Sequence, residues 1–191
     1  MRKVTVEELK QIASEQREAV WNQAESVGRE PKIFLHWTAG HYFQKFEDYH
    51  INITANGDIW LMTEDLSEVL AHTWRRNTGS IGVTLCCCAG ATTNDLGDEP
   101  PTSEQIEAMA QVVAVLAEEY DIPLDTDEYV MTHDEAAELD GYGHSTTCER
   151  WDLWYVPDYY GADGALEQGG DLIRGKAAFY QRAWRNEYAG D

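Results

Sequence analysis

Apolar and polar residues come in blocks along this chain, and the period of each block predicts its element. Residues 5–27 carry Leu9, Ile12, Val20 and Trp21 on a partial helical face. Thr5 and Glu8 form a capping box at the start, and Gly28 ends the run. Lys32–Trp37 (KIFLHW) is short and nearly continuously apolar, the pattern of a buried strand. Tyr49–Thr54 and Ile59–Thr63 flank Ala55-Asn56-Gly57-Asp58. Asn-Gly between two β-prone runs predicts a hairpin, because both central turn residues tolerate positive φ. Ile81–Leu85 and Tyr129–Thr132 predict two more strands. Between them Thr102 and Gln105 form a second capping box. After it Ile106, Met109, Ala110, Val113, Leu116, Ala117 and Tyr120 recur at the helical period. A last helix is predicted over Leu172–Tyr188, with Ile173, Ala177, Tyr180 and Trp184 on one face, within a C-terminal helical tail at 155–191. Strands alternating with helices, plus one hairpin, predict an α/β fold: a mixed central β-sheet flanked by helices, in a single domain over residues 1–191.

Composition narrows the function classes. At 43% hydrophobic with seven Trp, the chain has enough apolar material for a packed core. The formal charge of −21 disfavours nucleic acid, anionic membrane surfaces and acidic wall polymers as electrostatic partners. No apolar run approaches the roughly 18–20 residues of a membrane span. The start, MRKVTVEELK, has no apolar segment behind its basic residues, so synthesis in the cytoplasm without a signal peptide is expected. Action on a cell wall would then need release or delivery, with an immunity or delivery partner that the sequence does not identify. Cys86, Cys87 and Cys88 read as reduced thiols at the buried end of a strand.

The candidate chemistry gathers in Thr132–Asp152 (THDEAAELDGYGHSTTCERWD). His133 ends a short apolar segment, and Cys148 follows in a loop rich in Gly, Ser and Thr, just before Trp151 and Asp152. Imidazole and thiolate are zinc ligands, and a catalytic zinc site uses three protein ligands with a fourth position open. His36, in Ile33-Phe34-Leu35-His36-Trp37-Thr38, is the best third candidate. Asp140 and His144 remain alternatives if the loop folds differently. Tyr49 and His50 point to opposite faces of their strand, so only one of them can face a site. A polar loop carrying His72, Arg75, Arg76 and Asn77 runs into the strand at Ile81.

Four separated motifs now stand in one order: IFLHWT, YHINITANGDIW, His72-x4-Asn77-x2-Ser80-Ile81-Gly82, and His133 with Cys148-x2-Trp151-Asp152. Together they resemble the zinc-dependent N-acetylmuramoyl-L-alanine amidases of type 2, the family of phage endolysins, recycling amidases and peptidoglycan recognition proteins. The resemblance runs from about Ile33 to Leu153. It implies the type 2 amidase and recognition-protein fold, a zinc ion, and peptidoglycan or muropeptides as the partner. His36, His133 and Cys148 match the metal ligands. Tyr49 and Thr146 match groups that assist catalysis. His72 and Asn77, with Trp37 beside His36, match the lining of the substrate groove. Glu149 stands where members with a cysteine ligand usually carry Pro, and Thr146 stands where other members carry an aspartate ligand. The implied activity is hydrolysis of the bond between N-acetylmuramic acid and L-alanine. Two further readings stay open, an inactive peptidoglycan-binding module and a zinc-stabilised interaction protein closed by His144. Lysin, recycling amidase and secreted effector are all compatible with these motifs.

Overall fold

The computed structural model describes residues 1–145 and 151–188. Its strands are β1 (Arg2–Val4), β2 (Lys32–Trp37), β3 (Ile51–Ile53), β4 (Ile59–Leu61), β5 (Ser80–Leu85) and β6 (Val130–Thr132). They form one sheet in the order β1-β4-β3-β5-β2-β6. The β1–β4 and β3–β4 pairs are antiparallel, while β3–β5, β5–β2 and β2–β6 are parallel, so the sheet is mixed as expected. Four helices accompany it: α1 (Val6–Glu25), α2 (Ser103–Glu119), α3 (His133–Leu139) and α4 (Gly169–Tyr188). None of the described helices is long and apolar enough to cross a membrane.

Both capping boxes form, Thr5 with Glu8 on α1 and Thr102 with Gln105 on α2. Thr102 Oγ1 also donates to the Ala55 carbonyl at 2.7 Å, tying the start of α2 to the hairpin. The hairpin turns at Asn56-Gly57, with Gly57 at φ 79° and Thr54 N–H donating to the Asp58 carbonyl at 3.1 Å. Its first strand is shorter than expected, because Tyr49 and His50 lie in a bend before β3.

Three features depart from the sequence pattern. Residues 2–4 add an edge strand to β4, a piece too short to carry a period. Residues 133–139 form α3, capped by Thr132 with Glu135 in a third capping box. At the C-terminal end, helix begins only at Gly169; the expected helical tail from 155 runs first through turns closed by a Tyr160–Leu166 bridge.

Strand alternation gives the sheet two different faces. Ile33, Leu35 and Trp37 of β2 share a face with Ile81, Val83 and Leu85 of β5 and with Ile51 and Ile53 of β3. These residues join Leu9, Ala13 and Val20 of α1, Met109, Val113 and Leu116 of α2, and Ile173 and Ala177 of α4 in the main core. The opposite face carries Phe34 beside Gly82, and His36 beside Thr84 and Asn52. There Phe34, Met131 and Ala136 make a small separate cluster that seats α3. The three consecutive cysteines follow β5 and are fully buried and unpaired.

Gly79 shows how tightly β5 is set against α1. Its φ is 68°, and an added Cβ would lie 2.3 Å from Ala24 Cα. Gly79→Ala is expected to lower stability by about 3 kcal/mol or more, combining backbone strain with a backbone clash. Thr102→Ala, which loses a cap and one hydrogen bond, should cost about 1–2 kcal/mol. Urea denaturation of the two variants measures both, and the expected order is Gly79→Ala well below Thr102→Ala.

Candidate metal centre

The register of β2 against its neighbours builds the site. Leu35 pairs with Thr132, so the next residue on each strand, His36 and His133, emerge side by side. His133 is the first residue of α3, immediately after the Thr132 cap. The two Nδ1 atoms stand 3.1 Å apart, with ring centroids 4.8 Å apart at 74°. Asp152 reaches the same point: its Oδ2 lies 3.3 Å from His36 Nδ1 and 3.2 Å from His133 Nδ1. The Asp134 backbone N–H donates to the Asp152 carbonyl at 3.3 Å, which anchors that segment to the start of α3.

Three electron-rich atoms this close need a shared proton or cation between them. A tetrahedral ion bound at about 2.0–2.1 Å holds neighbouring ligand atoms about 3.3 Å apart. The three observed separations match that edge, and two imidazoles with one carboxylate are a catalytic zinc donor set. His36, His133 and Asp152 therefore fit a zinc ion. Burial opposes ionisation of Asp152, but the neighbouring imidazoles, His133 foremost, outweigh it and hold the carboxyl below its ordinary value.

Two further histidines back the site. His50 is fully buried; its Nδ1 accepts from the Gly82 N–H at 3.0 Å and its Nε2 donates to the Glu68 carbonyl at 2.8 Å. His72 packs edge-on to His36 at 5.3 Å and to His50 at 5.7 Å. Its ring occupies the space over Gly82, where an added Cβ would meet His72 Cγ at 2.7 Å. Burial pushes the pKa of both below the ordinary imidazole value; for His72 the neighbouring His36, His50 and His133 add to the shift.

The structure thus brings together His36, His133 and Tyr49, whose ring lies 4.9 Å from that of His36. Cys148 and Thr146 lie outside the described residues. His72 and Asn77, expected in the groove lining, have other positions. His72 is 6% exposed behind His36, and Asn77 Oδ1 accepts from the backbone N–H groups of His72 (3.2 Å) and Thr73 (2.7 Å). Trp37 is corrected: strand alternation turns it away from His36 into the main core, 2% exposed, so it lines no site. The alternatives Asp140 and His144 are engaged elsewhere. Asp140 accepts a two-pronged ion pair from Arg76, at 2.9 and 3.1 Å. His144 Nδ1 donates to both oxygens of the buried Asp134 at 2.8 Å and its ring stacks on Trp154 at 4.3 Å. Asp134, Glu138 and His144 form a second group with ligand spacing, but internal hydrogen bonds already satisfy it.

Asp152 is the candidate ligand that the sequence pattern did not single out. It stood next to Trp151 in plain view, and only the return of its segment to the start of α3 gives it a role. A cavity of about 780 Å³ opens elsewhere, between α3 and α4, lined by Met131, Glu135, Asp171 and Arg174. Its Glu135 is bound to Arg174 at 2.8–2.9 Å, and among the described residues the three atoms of His36, His133 and Asp152 converge outside it.

A family model described as N-acetylmuramoyl-L-alanine amidase matches residues 26–151. Among solved structures, the chain is similar to the endolysin N-acetylmuramoyl-L-alanine amidase LysCS from Clostridium intestinale URNW. That match has 16% identity and a TM-score of 0.41, over 56% of this chain and 70% of that one. It is also similar to the Ph2119 endolysin from the Thermus scotoductus MAT2119 bacteriophage Ph2119, at 18% identity and a TM-score of 0.43, over 66% and 82%. Comparison with curated protein sequences yields no match.

The buried neutral histidines predict acid sensitivity. Their folded pKa values lie below the unfolded value of about 6.5, so the unfolded chain binds more protons as pH falls through that value. Stability is therefore fully present above about pH 6.5 and is lost below it, by at most about 1.4 kcal/mol per pH unit per histidine. Urea denaturation of metal-free protein at pH 7.5 and 5.5 should show the loss. His50→Gln should show a shallower one.

Proposed function

The chain belongs to the N-acetylmuramoyl-L-alanine amidase family, and from that premise we propose that it is a zinc-dependent peptidoglycan hydrolase. The bond cut is the amide between N-acetylmuramic acid and the L-alanine of the stem peptide. The observation that carries this reading is the convergence of His36 Nδ1, His133 Nδ1 and Asp152 Oδ2 within 3.1–3.3 Å.

Zinc held there would supply a Lewis acid for the scissile carbonyl and make water acidic enough to react near neutral pH. The chain's own residues do the rest. His36 and His133 would hold the ion through neutral nitrogens and Asp152 through its carboxylate, so the ligand set would carry a single negative charge. The three ligand atoms already stand at the spacing an ion would need, so little reorganisation would be required to hold it. Tyr49, against the His36 ring, is the group proposed to donate a hydrogen bond to the oxyanion as it forms. Trp74, 55% exposed and next to Thr73, offers an aromatic face for substrate beside the site, with Arg75 stacked over it at 4.2 Å. The charge of −21 suits a substrate recognised by contacts in a groove better than an acidic polymer held by long-range attraction.

The test pairs zinc content with peptide release from purified peptidoglycan. Wild-type protein should carry zinc and free peptides beginning with L-alanine, read by mass spectrometry. Asp152→Asn should lose more than about 100-fold in zinc affinity and all release, since removing even an outer partner of a ligand costs about 10–100-fold. Tyr49→Phe should keep zinc and lose roughly 10²–10³ in kcat. Zinc bound without peptide release would make the chain a binding module. Zinc retained by Asp152→Asn and lost by Cys148→Ser would move the third ligand to Cys148.

A further inference from the structure

Behind His36 lies a line of hydrogen-bonding side chains whose directions can be worked out from one fixed end. His36 Nε2 is 3.3 Å from Thr73 Oγ1, which is 3.0 Å from His72 Nδ1. On the far side of that ring, His72 Nε2 is 3.5 Å from Ser80 Oγ, a long contact. Ser80 Oγ lies 2.8 Å from the Asn77 carbonyl and 2.9 Å from the Arg76 carbonyl. Carbonyls only accept, so the one hydroxyl hydrogen of Ser80 goes to them. Ser80 therefore meets His72 with a lone pair, and His72 carries its ring hydrogen on Nε2. The bare His72 Nδ1 then takes the hydrogen of Thr73. Thr73 is left with a lone pair towards His36, whose Nε2 must carry the hydrogen.

We propose that Ser80, His72 and Thr73 form a relay that fixes the tautomer of His36, so that a bare Nδ1 faces His133 and Asp152 before any metal binds. The opposite tautomer, with His36 Nδ1–H donating to Asp152, would block that nitrogen as a ligand. In the relay form the hydrogen between the three groups sits on His133 Nδ1, 3.1 Å from His36 Nδ1 and 3.2 Å from Asp152 Oδ2. Ser80, His72 and Thr73 are positioning residues: they act on the site through His36. Two backbone features hold the line in place, the Asn77 Oδ1 bonds to the His72 and Thr73 N–H groups and the missing side chain at Gly82. The consequence for metal affinity rests on the zinc reading above, whereas the tautomer itself does not.

The experiment is long-range ¹H–¹⁵N correlation spectroscopy of the histidine rings in metal-free protein, followed by zinc affinity from chelator competition. In the wild type, His36 and His72 should both show hydrogen on Nε2. Thr73→Val keeps the shape of the side chain and removes the hydroxyl. It should give His36 a mixture of tautomers and weaken zinc about 10–100-fold, while Thr73→Ser restores both. Should Thr73→Val fail to fold, Ser80→Ala removes the far end and should mix the tautomers of His72. A wild-type His36 with hydrogen on Nδ1 overturns the proposal, as does a Thr73→Val protein with wild-type ring signals and zinc affinity. Rings as expected in a wild type that takes up no zinc would uphold the relay and overturn the zinc reading instead.

Discussion

Everything at the site depends on the parallel pairing of β2 with β5 on one side and β6 on the other. That pairing aligns His36 with Thr84 and Leu35 with Thr132, and so brings His133 beside His36 across nearly a hundred residues of chain. It also fixes which residues of β2 face which way. A slip of one residue would send Leu35 and Trp37 to the site and bury His36 in the core against α1 and α2. The apolar residues Ile33, Leu35 and Trp37 resist that slip, because their burial is the larger energy. The histidine face is thus held in register by the apolar face.

The histidine face is built under an opposite constraint. His36, His50, His72 and His133 are all buried, and burial of polar groups is costly unless each finds a partner. His50 meets a backbone N–H and a carbonyl, His72 meets Thr73 and Ser80, and His36 meets Thr73, His133 and Asp152. Room for this network comes from Gly82, the one position in that row of β5 without a side chain. The result is a set of ring nitrogens with fixed directions, which is what a metal site needs and what an apolar core could not supply.

Loops around the site are tied together rather than left independent. Arg76 clamps Asp140, and Trp74 meets Tyr142 edge-on at 5.8 Å, joining the loop before β5 to the end of α3. His144, held by Asp134 and stacked on Trp154, links the segment after α3 to the one that carries Asp152. In a protein of net charge −21, Asp140 and Asp134 are each paired locally, Asp140 with Arg76 and Asp134 with His144.

Local signals in the chain specify most of its elements and several candidate site residues. Helical period and capping boxes fixed α1 and α2, Asn56-Gly57 fixed the hairpin, and the motifs around His36, Tyr49 and His133 pointed to the candidate centre, because each of these signals is local. The start of α3 is also encoded locally, in the capping box of Thr132 and Glu135. Tertiary structure alone decided the rest. It turned Trp37 into the core by strand alternation, withdrew His72 and Asn77 from the groove into the support behind it, and returned Asp152 to the two histidines. No local pattern encodes these outcomes, since each depends on which distant segment packs against the residue and on which face of the sheet has room for it.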